Sequence, residues 1–216
     1  MNYKIIPTVF SIKTENFHDR FDKLVKISTD LHIDFMDGIF VPAQFLNLDL
    51  VPDLTKYEGE FEAHMMVKNP GKYMDSMKKK GFKKIIFHYE SMQNNEEAIK
   101  LAQKIRKLKM KVFLAFNPET KPHVAFTFLK EFDGVMFMGV HPGKEHQSFL
   151  YAILANIQEL RHFSKKIDIQ VDGGVNTSNI NYIARSGANI FNSGSFISES
   201  SDPKEAIAQL KKGLKG

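Results

Sequence analysis

Residues 84–116 read KIIFHYESMQNNEEAIKLAQKIRKLKMKVFLAF and contain the repeating unit of the fold. Short apolar runs rich in Ile, Val and Phe predict strands at Lys84–His88 and Lys111–Phe116. Between them, Asn94 is typical of a helix start. The apolar residues that follow recur on one face of a helix: Ile99, Ala102 and Ile105. Because a crossover helix joins the two strands, we expect them to run parallel in one sheet.

Strand-like runs recur along the whole chain, separated by amphipathic helical stripes. Eight strands are predicted: Lys4–Val9, Asp30–Met36, Phe61–Met66, Lys84–His88, Lys111–Phe116, Gly134–Val140, Asp168–Val171 and Ala188–Asn192. Two further helical stripes consist of Phe17, Phe21, Leu24 and Val25, and of Phe149, Leu150, Ile153, Leu154, Ile157 and Leu160. Asp202 followed by Pro203 predicts a last helix through Leu214.

This alternation of strands and helices decides the fold class. Repeated strand–helix units form a parallel sheet with crossover helices, which defines an α/β protein. Eight units in 216 residues fit a closed (β/α)₈ TIM barrel better than an open doubly wound sheet. No glycine-rich dinucleotide fingerprint follows the first strand, which also disfavours the open sheet. Since no linker or repeat divides the chain, we predict a single barrel domain over residues 1–216.

Composition narrows the classes of ligand and compartment. The chain has no Cys, which excludes disulfides, so that any metal must bind to His, Asp or Glu. No stretch approaches the ~18 apolar residues that a membrane span needs, and we expect a soluble cytoplasmic protein with no membrane partner. The net charge of +5 fits an anionic ligand. Lysine runs such as 78–80 lack interleaved aromatic residues, so we expect no nucleic-acid partner.

Polar side chains stand at the ends of several predicted strands, where the chemistry of this fold is located. His32 and Asp34 are two residues apart and therefore share one face of their strand. His64 and Asp172 lie near the ends of two other strands. If all four face inward, they converge on a set of donors that suits a divalent ion such as Zn, Mn, Fe or Co. A buried network of His–Asp hydrogen bonds is the alternative.

Glycine-rich segments follow the last two strands. Gly173-Gly174 comes after one of them, and Gly194-Ser195 comes after the other. Loops at these positions of a TIM barrel commonly bind phosphate through backbone N–H groups. Glycines also serve ordinary turns, so the segments indicate a phosphate site only through their placement.

With these residues considered together, the chain resembles the ribulose-phosphate 3-epimerase family from end to end. The motifs are Pro7–Phe10, His32–Gly38 with Phe40–Pro42, Ala63–Met66, Phe87–Glu90, Leu114–Pro118 with Thr120, Met138–Gly143 with Gln147, Val171–Val175 and Ser193–Ser195. The pattern His-x-Asp-x-Met-Asp-Gly together with Val-Asp-Gly-Gly is highly specific.

The resemblance implies a role for each matching residue. His32, Asp34, His64 and Asp172 match the family's ligands to one divalent metal ion (Zn, Fe, Mn or Co). Asp34 and Asp172 also match its acid/base pair, which inverts C3 of a ketopentose phosphate (D-ribulose 5-phosphate to D-xylulose 5-phosphate) through an enediolate. Predicted substrate contacts are Thr8, Met36, Met66, Met138, Gly143, Gly173, Gly174, Gly194 and Ser195. A sugar-phosphate partner, a homo-oligomer and a role in the pentose phosphate pathway are implied.

The chain departs from the family pattern at a few positions. The family usually has His at position 39 and Asn at position 43, where this chain has Ile39 and Ala43. In the loop that covers the substrate, Lys144, Glu145 and His146 replace Phe-Gly-Gly. Two alternatives therefore stay open: an epimerase for another ketose phosphate, such as a hexulose 6-phosphate, and a barrel that binds sugar phosphate without turnover.

Overall fold

Residues 2–215, which the computed structural model describes, contain nine strands in one sheet. The strands are β1 (Lys4–Val9), β2 (Leu31–Asp37), β3 (Gln44–Phe45), β4 (Phe61–Met66), β5 (Lys84–His88), β6 (Lys111–Phe116), β7 (Gly134–Met138), β8 (Asp168–Asp172) and β9 (Ile190–Ser193). Eight of them pair in parallel, and the sheet closes because β1 pairs with both β2 and β9. Short β3 adds to β2 in the antiparallel direction. The closed parallel sheet confirms the predicted (β/α)₈ barrel.

Helices lie outside the barrel. They are α1 (Thr14–Leu24), α2 (Met74–Lys80), α3 (Asn95–Lys107), α4 (Ile153–Phe163), α5 (Ile180–Ser186), α6 (Ser195–Ser198) and α7 (Pro203–Gly213). Two predicted helix starts are confirmed, because Asn94 accepts a hydrogen bond from the Glu97 N–H and Asp202 accepts one from the Glu205 N–H. Between β6 and β7, short 3₁₀ turns replace the expected α-helix. No helix within the described residues is both long and apolar enough to cross a membrane.

The helix that follows β7 begins later than the sequence predicts. Its apolar stripe was expected to include Phe149 and Leu150, but α4 starts at Ile153. The Leu150 N–H donates to the Gly139 carbonyl at 2.8 Å, and the Phe149 ring packs where a side chain on Gly139 would lie. Both residues are therefore held against the end of β7, and the loop before α4 is longer than the pattern indicates.

The interior of the barrel is divided into an apolar and a polar half. Its apolar half consists of Ile6, Ile86, Phe113, Ala115, Met136, Met138, Val140 and Ile190. Residues that pair across parallel strands point to the same side, and the pairs His32 with Glu62 and Asp34 with His64 place polar groups on the inner face. A separate and larger apolar cluster fills the space between strands and helices. The polar groups of this half, such as His32, Glu62, His64 and Gln170, are buried.

The apolar half leaves no room for a side chain at Gly134. A Cβ added there would lie 2.3 Å from Cζ of the buried Phe113 ring. We predict that Gly134→Ala lowers the free energy of unfolding by about 1–3 kcal/mol through overpacking. Gly71→Ala is the control, since its nearest contact would be 3.6 Å away. Urea denaturation checks the difference, and equal midpoints for the two variants would contradict it.

Candidate active site

The four predicted metal-ligating residues come from β2, β4 and β8 and meet inside the barrel, with Asp172 at the carboxyl end of its strand. One donor atom from each of His32, Asp34, His64 and Asp172 lies within 4.8 Å of the others. The Nδ1 atom of His64 is 2.7 Å from Asp34 Oδ1 and 3.8 Å from Asp172 Oδ2. The Nε2 atom of His32 is 3.2 Å and 4.0 Å from the same two carboxylates. All four side chains are buried.

The two carboxyl groups of this cluster have opposite pKa shifts. Burial raises the pKa of Asp172, and the neighbouring carboxylates of Asp34 and Glu62 raise it further, although His32 opposes them. Burial would also raise the pKa of Asp34, but hydrogen bonds from His32 and His64 lower it below its usual range. One carboxyl group is therefore set to stay ionised while its neighbour can hold a proton, which is the arrangement that acid/base pairs use.

Beneath His32, a buried carboxylate organises the polar half of the interior. His32 Nδ1 lies 2.5 Å from Glu62 Oε1, and the Lys84 ammonium pairs with the other oxygen of that carboxylate. Gln170 and Asn192 donate to Glu62 Oε1 at 2.5 and 3.0 Å. Burial would raise the pKa of Glu62, but Lys84 and His32 lower it, so that this group stays ionised. The position of His32 is thus fixed through its second ring nitrogen.

His64 is held from behind by a different chain of groups. Its Nε2 lies 2.9 Å from Nε2 of His88, whose Nδ1 is 3.4 Å from the Glu90 carboxylate. Glu90 Oε1 in turn accepts from the Asn117 N–H at 2.8 Å and the Thr120 hydroxyl at 2.5 Å. As a ligand through Nδ1, His64 would donate from Nε2 to His88, and His88 would donate to Glu90.

The sequence alone did not predict the buried residues that hold His32 through Glu62. Glu62, Lys84, Gln170 and Asn192 are all buried in strands. A signal was present for one of them, because Glu62 precedes His64 by two residues and so shares its inward face. Nothing in a single sequence distinguishes an inward Lys84 from a lysine at an exposed end of a strand.

A cavity of about 570 Å³ opens above the cluster. Its lining includes both aspartates and most of the predicted substrate contacts: Thr8, Asp34, Met66, Met138, Gly143, Asp172, Gly173, Gly174, Gly194 and Ser195. His32 and His64 lie below it and are fully buried, and Met36 is fully buried outside the lining. The Thr8 hydroxyl is buried without a hydrogen-bond partner among the described residues, which suits it to a polar group of a ligand.

The two glycine segments form one wall of this cavity. Gly173 and Gly174 have φ values of +94° and +71°, a region that favours glycine. A Cβ on Gly173 would lie 2.5 Å from the Val140 side chain, so that the backbone comes close to the end of β7. Backbone groups, and not side chains, therefore face the space beside Asp172.

The positions that depart from the family pattern differ in their relation to the cavity. Lys144, Glu145 and His146 all belong to its lining. Ile39 is 75% exposed, and neither it nor Ala43 is part of the lining. Among these departures, only the replaced loop therefore bears directly on what the cavity can bind.

A TIM barrel with paired carboxyl groups beneath a cavity at its mouth has the arrangement of an α/β-barrel enzyme. Residues 4–198 match the model of the ribulose-phosphate 3-epimerase family. The ribulose-phosphate 3-epimerase of Schizosaccharomyces pombe is 31% identical over 98% of this chain and 93% of its own length. The cytoplasmic isoform from Oryza sativa subsp. japonica is also 31% identical, over 99% of this chain and 95% of its own. The chain belongs to the ribulose-phosphate 3-epimerase family and is an enzyme of the isomerase class.

Solved structures of lower identity share the fold. A 3-hexulose-6-phosphate synthase superposes with a TM-score of 0.71 at 18% identity, covering 98% of this chain and 99% of its own. The protein described as KGPDC from Streptococcus mutans gives a TM-score of 0.73 at 12% identity, covering 100% and 98%. At these identities the likeness concerns the barrel alone.

The support beneath His32 can be tested through Lys84. We predict that Lys84→Met lowers the free energy of unfolding by about 3–5 kcal/mol, because it leaves the buried Glu62 carboxylate without its cation. Lys111→Met is the matched control: Lys111 pairs with Glu60 at 3.1 Å on the exposed side, where removal costs at most about 1 kcal/mol. Urea unfolding of both variants checks this, and a mild effect at Lys84 would show that Glu62 is not charged when buried.

Proposed function

We propose that the protein is a metal-dependent epimerase that inverts C3 of D-ribulose 5-phosphate to give D-xylulose 5-phosphate. The observation that carries this proposal is the pair of carboxyl groups, Asp34 and Asp172, which line one cavity with pKa shifts in opposite directions. Membership of the family supports the sugar phosphate as substrate.

The donor set fits a divalent metal ion. Two imidazole nitrogens and two carboxylate oxygens within 4.8 Å of one another suit Zn, Fe, Mn or Co, and no softer thiolate ligand is available. Each imidazole has its other nitrogen engaged, His32 with Glu62 and His64 with His88. When bound, such an ion supplies electrostatic stabilisation for negative charge that develops on the substrate's oxygens.

The aspartates account for the inversion. Removing a proton on one face of a carbon and returning one on the opposite face needs a base and an acid on different sides. Asp34 is on β2 and Asp172 is on β8, so that a substrate carbon above the cluster has one carboxyl group on each side. One of the two, as a carboxylate, accepts the C3 proton and leaves an enediolate. The other, as a carboxylic acid, donates a proton to the opposite face, and the roles exchange in the reverse reaction.

The remaining contacts position the substrate. Its phosphate binds to the backbone of Gly173-Gly174 and Gly194-Ser195, and its hydroxyl groups reach Thr8. Met66 and Met138 pack beside the carbon chain, and Gly143 lies in the covering loop. Met36 is buried and pairs with Met66 across β2 and β4. Binding energy gained at the phosphate orients the reacting carbon between the aspartates.

The compartment and the oligomeric state are inferred from the family. We place the protein in the cytoplasm, as the name of the rice relative says of that protein, and we infer that it self-associates. A hexulose 6-phosphate is the second candidate substrate, because the replaced residues Lys144–His146 lie in the wall of the cavity. A comparison of kcat/KM between the two ketose phosphates distinguishes these candidates.

Isotope exchange tests the reaction and its two-sided mechanism. We predict that the protein exchanges the C3 proton of D-ribulose 5-phosphate in deuterated water, followed by NMR. Asp34→Asn and Asp172→Asn each lower the rate of epimerisation at least ~100-fold. Each variant retains exchange with one of the two epimers, because one carboxyl group still serves its own face. Metal content is measured in parallel, and absence of exchange in the metal-loaded wild-type protein would overturn the proposal.

Metal analysis tests the donor set through metal content and affinity as well as through activity. We predict that the purified protein binds a single divalent ion per chain, that chelation abolishes activity, and that Zn, Mn, Fe or Co restores it. His64→Gln lowers metal affinity by at least ~100-fold. His123→Gln is the control, since His123 is exposed and paired with Glu159. Elemental analysis and the thermal shift on metal addition provide the measurement, and equal affinities for both variants would rule out this site.

A further inference from the structure

Arg20 on α1 joins three separate segments around the mouth of the cavity. Its Nη1 donates to both oxygens of Glu145 at 2.8 Å and to the Phe10 carbonyl at 2.6 Å. Its Nη2 donates to Glu199 at 2.9 Å. The side chains of Arg20 and Glu145 are only 17% and 18% exposed. The guanidinium group thus occupies the space between two carboxylates and connects the loop after β7 to the ends of β1 and α6.

Glu145 places a carboxylate close to the predicted phosphate site. It lines the cavity, and a Cβ built on Gly194 would lie 3.8 Å from its Oε1. The Glu145 side chain is mostly buried and its carboxylate is therefore poorly solvated. This burial and the neighbouring Glu199 raise the pKa of Glu145, although Arg20 and His146 oppose the change. A phosphate dianion bound to Gly194-Ser195 would face this group at short range. Without a compensating cation, the two anions would repel each other strongly in such a poorly solvated place.

The loop itself does not fix the position of Glu145. Gln147 donates to the carbonyls of His141 and Lys144, which shapes the turn internally. His146 has a left-handed φ of +61° and reaches Glu199 at 3.5 Å from an exposed position. Arg20 therefore makes the short, mostly buried polar contact that joins Glu145 to the ends of β1 and α6.

We infer that Arg20 is a positioning residue that neutralises the Glu145 carboxylate and fixes its place in the wall beside the phosphate of the substrate. The inference rests on the proposed function, because it assumes a phosphate at Gly194-Ser195. It assigns to the Arg20–Glu145 pair a part of the preference for phosphorylated ligands. Arg20 acts on the phosphate through Glu145 and does not contact the substrate.

A double-variant cycle tests this role. We expect Arg20→Met to raise the Kd for inorganic phosphate and the KM for D-ribulose 5-phosphate at least tenfold, with kcat changed less than about threefold. Glu145→Gln keeps or improves phosphate affinity, since it removes the negative charge and leaves Arg20 in place. The double variant Arg20→Met with Glu145→Gln returns to near the wild-type affinity, because no uncompensated carboxylate remains. Arg20→Lys, which keeps the charge, stays within about threefold of wild type.

Lys23→Met is the matched control. Lys23 lies one turn further along α1, and its ammonium donates to the carbonyls of Ser198 and Ser200 at 2.8 and 2.9 Å. Removing this charge leaves phosphate affinity unchanged. Failure of the double variant to recover affinity would overturn the inference and indicate direct contact of Arg20 with phosphate. Unchanged affinity in Arg20→Met would overturn it as well. If the wild-type protein binds neither inorganic phosphate nor D-ribulose 5-phosphate, the proposed function is wrong, and the inference that rests on it is wrong as well.

Discussion

The ion pair between Lys84 and Glu62 is the interaction on which the candidate site depends. An ionised carboxylate inside a closed barrel is costly unless a cation and hydrogen-bond donors surround it. Lys84, Gln170 and Asn192 meet this need from β5, β8 and β9. Glu62 can then hold His32, which in turn contacts Asp34 at the mouth. The buried Lys84–Glu62 pair thus fixes His32, and through His32 it helps to fix Asp34 at the mouth.

The order of elements and the central residues of the site could be predicted because they depend on local rules. Alternation along a strand puts His32 and Asp34 on one face, and the parallel register then brings Asp34 beside His64. Arg20 and Glu145 are 125 positions apart and carry no periodic signal, so their pairing could not be read from the chain. Phe149 fits the stripe of a helix, but packing against Gly139 holds it in the loop, which a local pattern does not contain.

The replaced loop changes the character of the cavity wall from neutral to charged. At the positions where the family pattern has Phe-Gly-Gly, this chain has Lys144, Glu145 and His146. A carboxylate in the wall of an anion site would be unfavourable in isolation. In the structure the Glu145 carboxylate pairs with Arg20 on α1. The residue in the loop and the cation on the helix therefore depend on each other.

The division of the barrel interior has a consequence for how the enzyme can change. The proposed acid, base and metal-binding side chains come from the polar half, while Met138 and Val140 extend the apolar half into the wall of the cavity. A change in the size of these apolar residues alters the shape offered to a sugar without displacing any charged group. The shape of the cavity can therefore vary at Met138 and Val140 while the buried charged groups stay in place, so that the same barrel can accept a different ligand without a new set of charged residues.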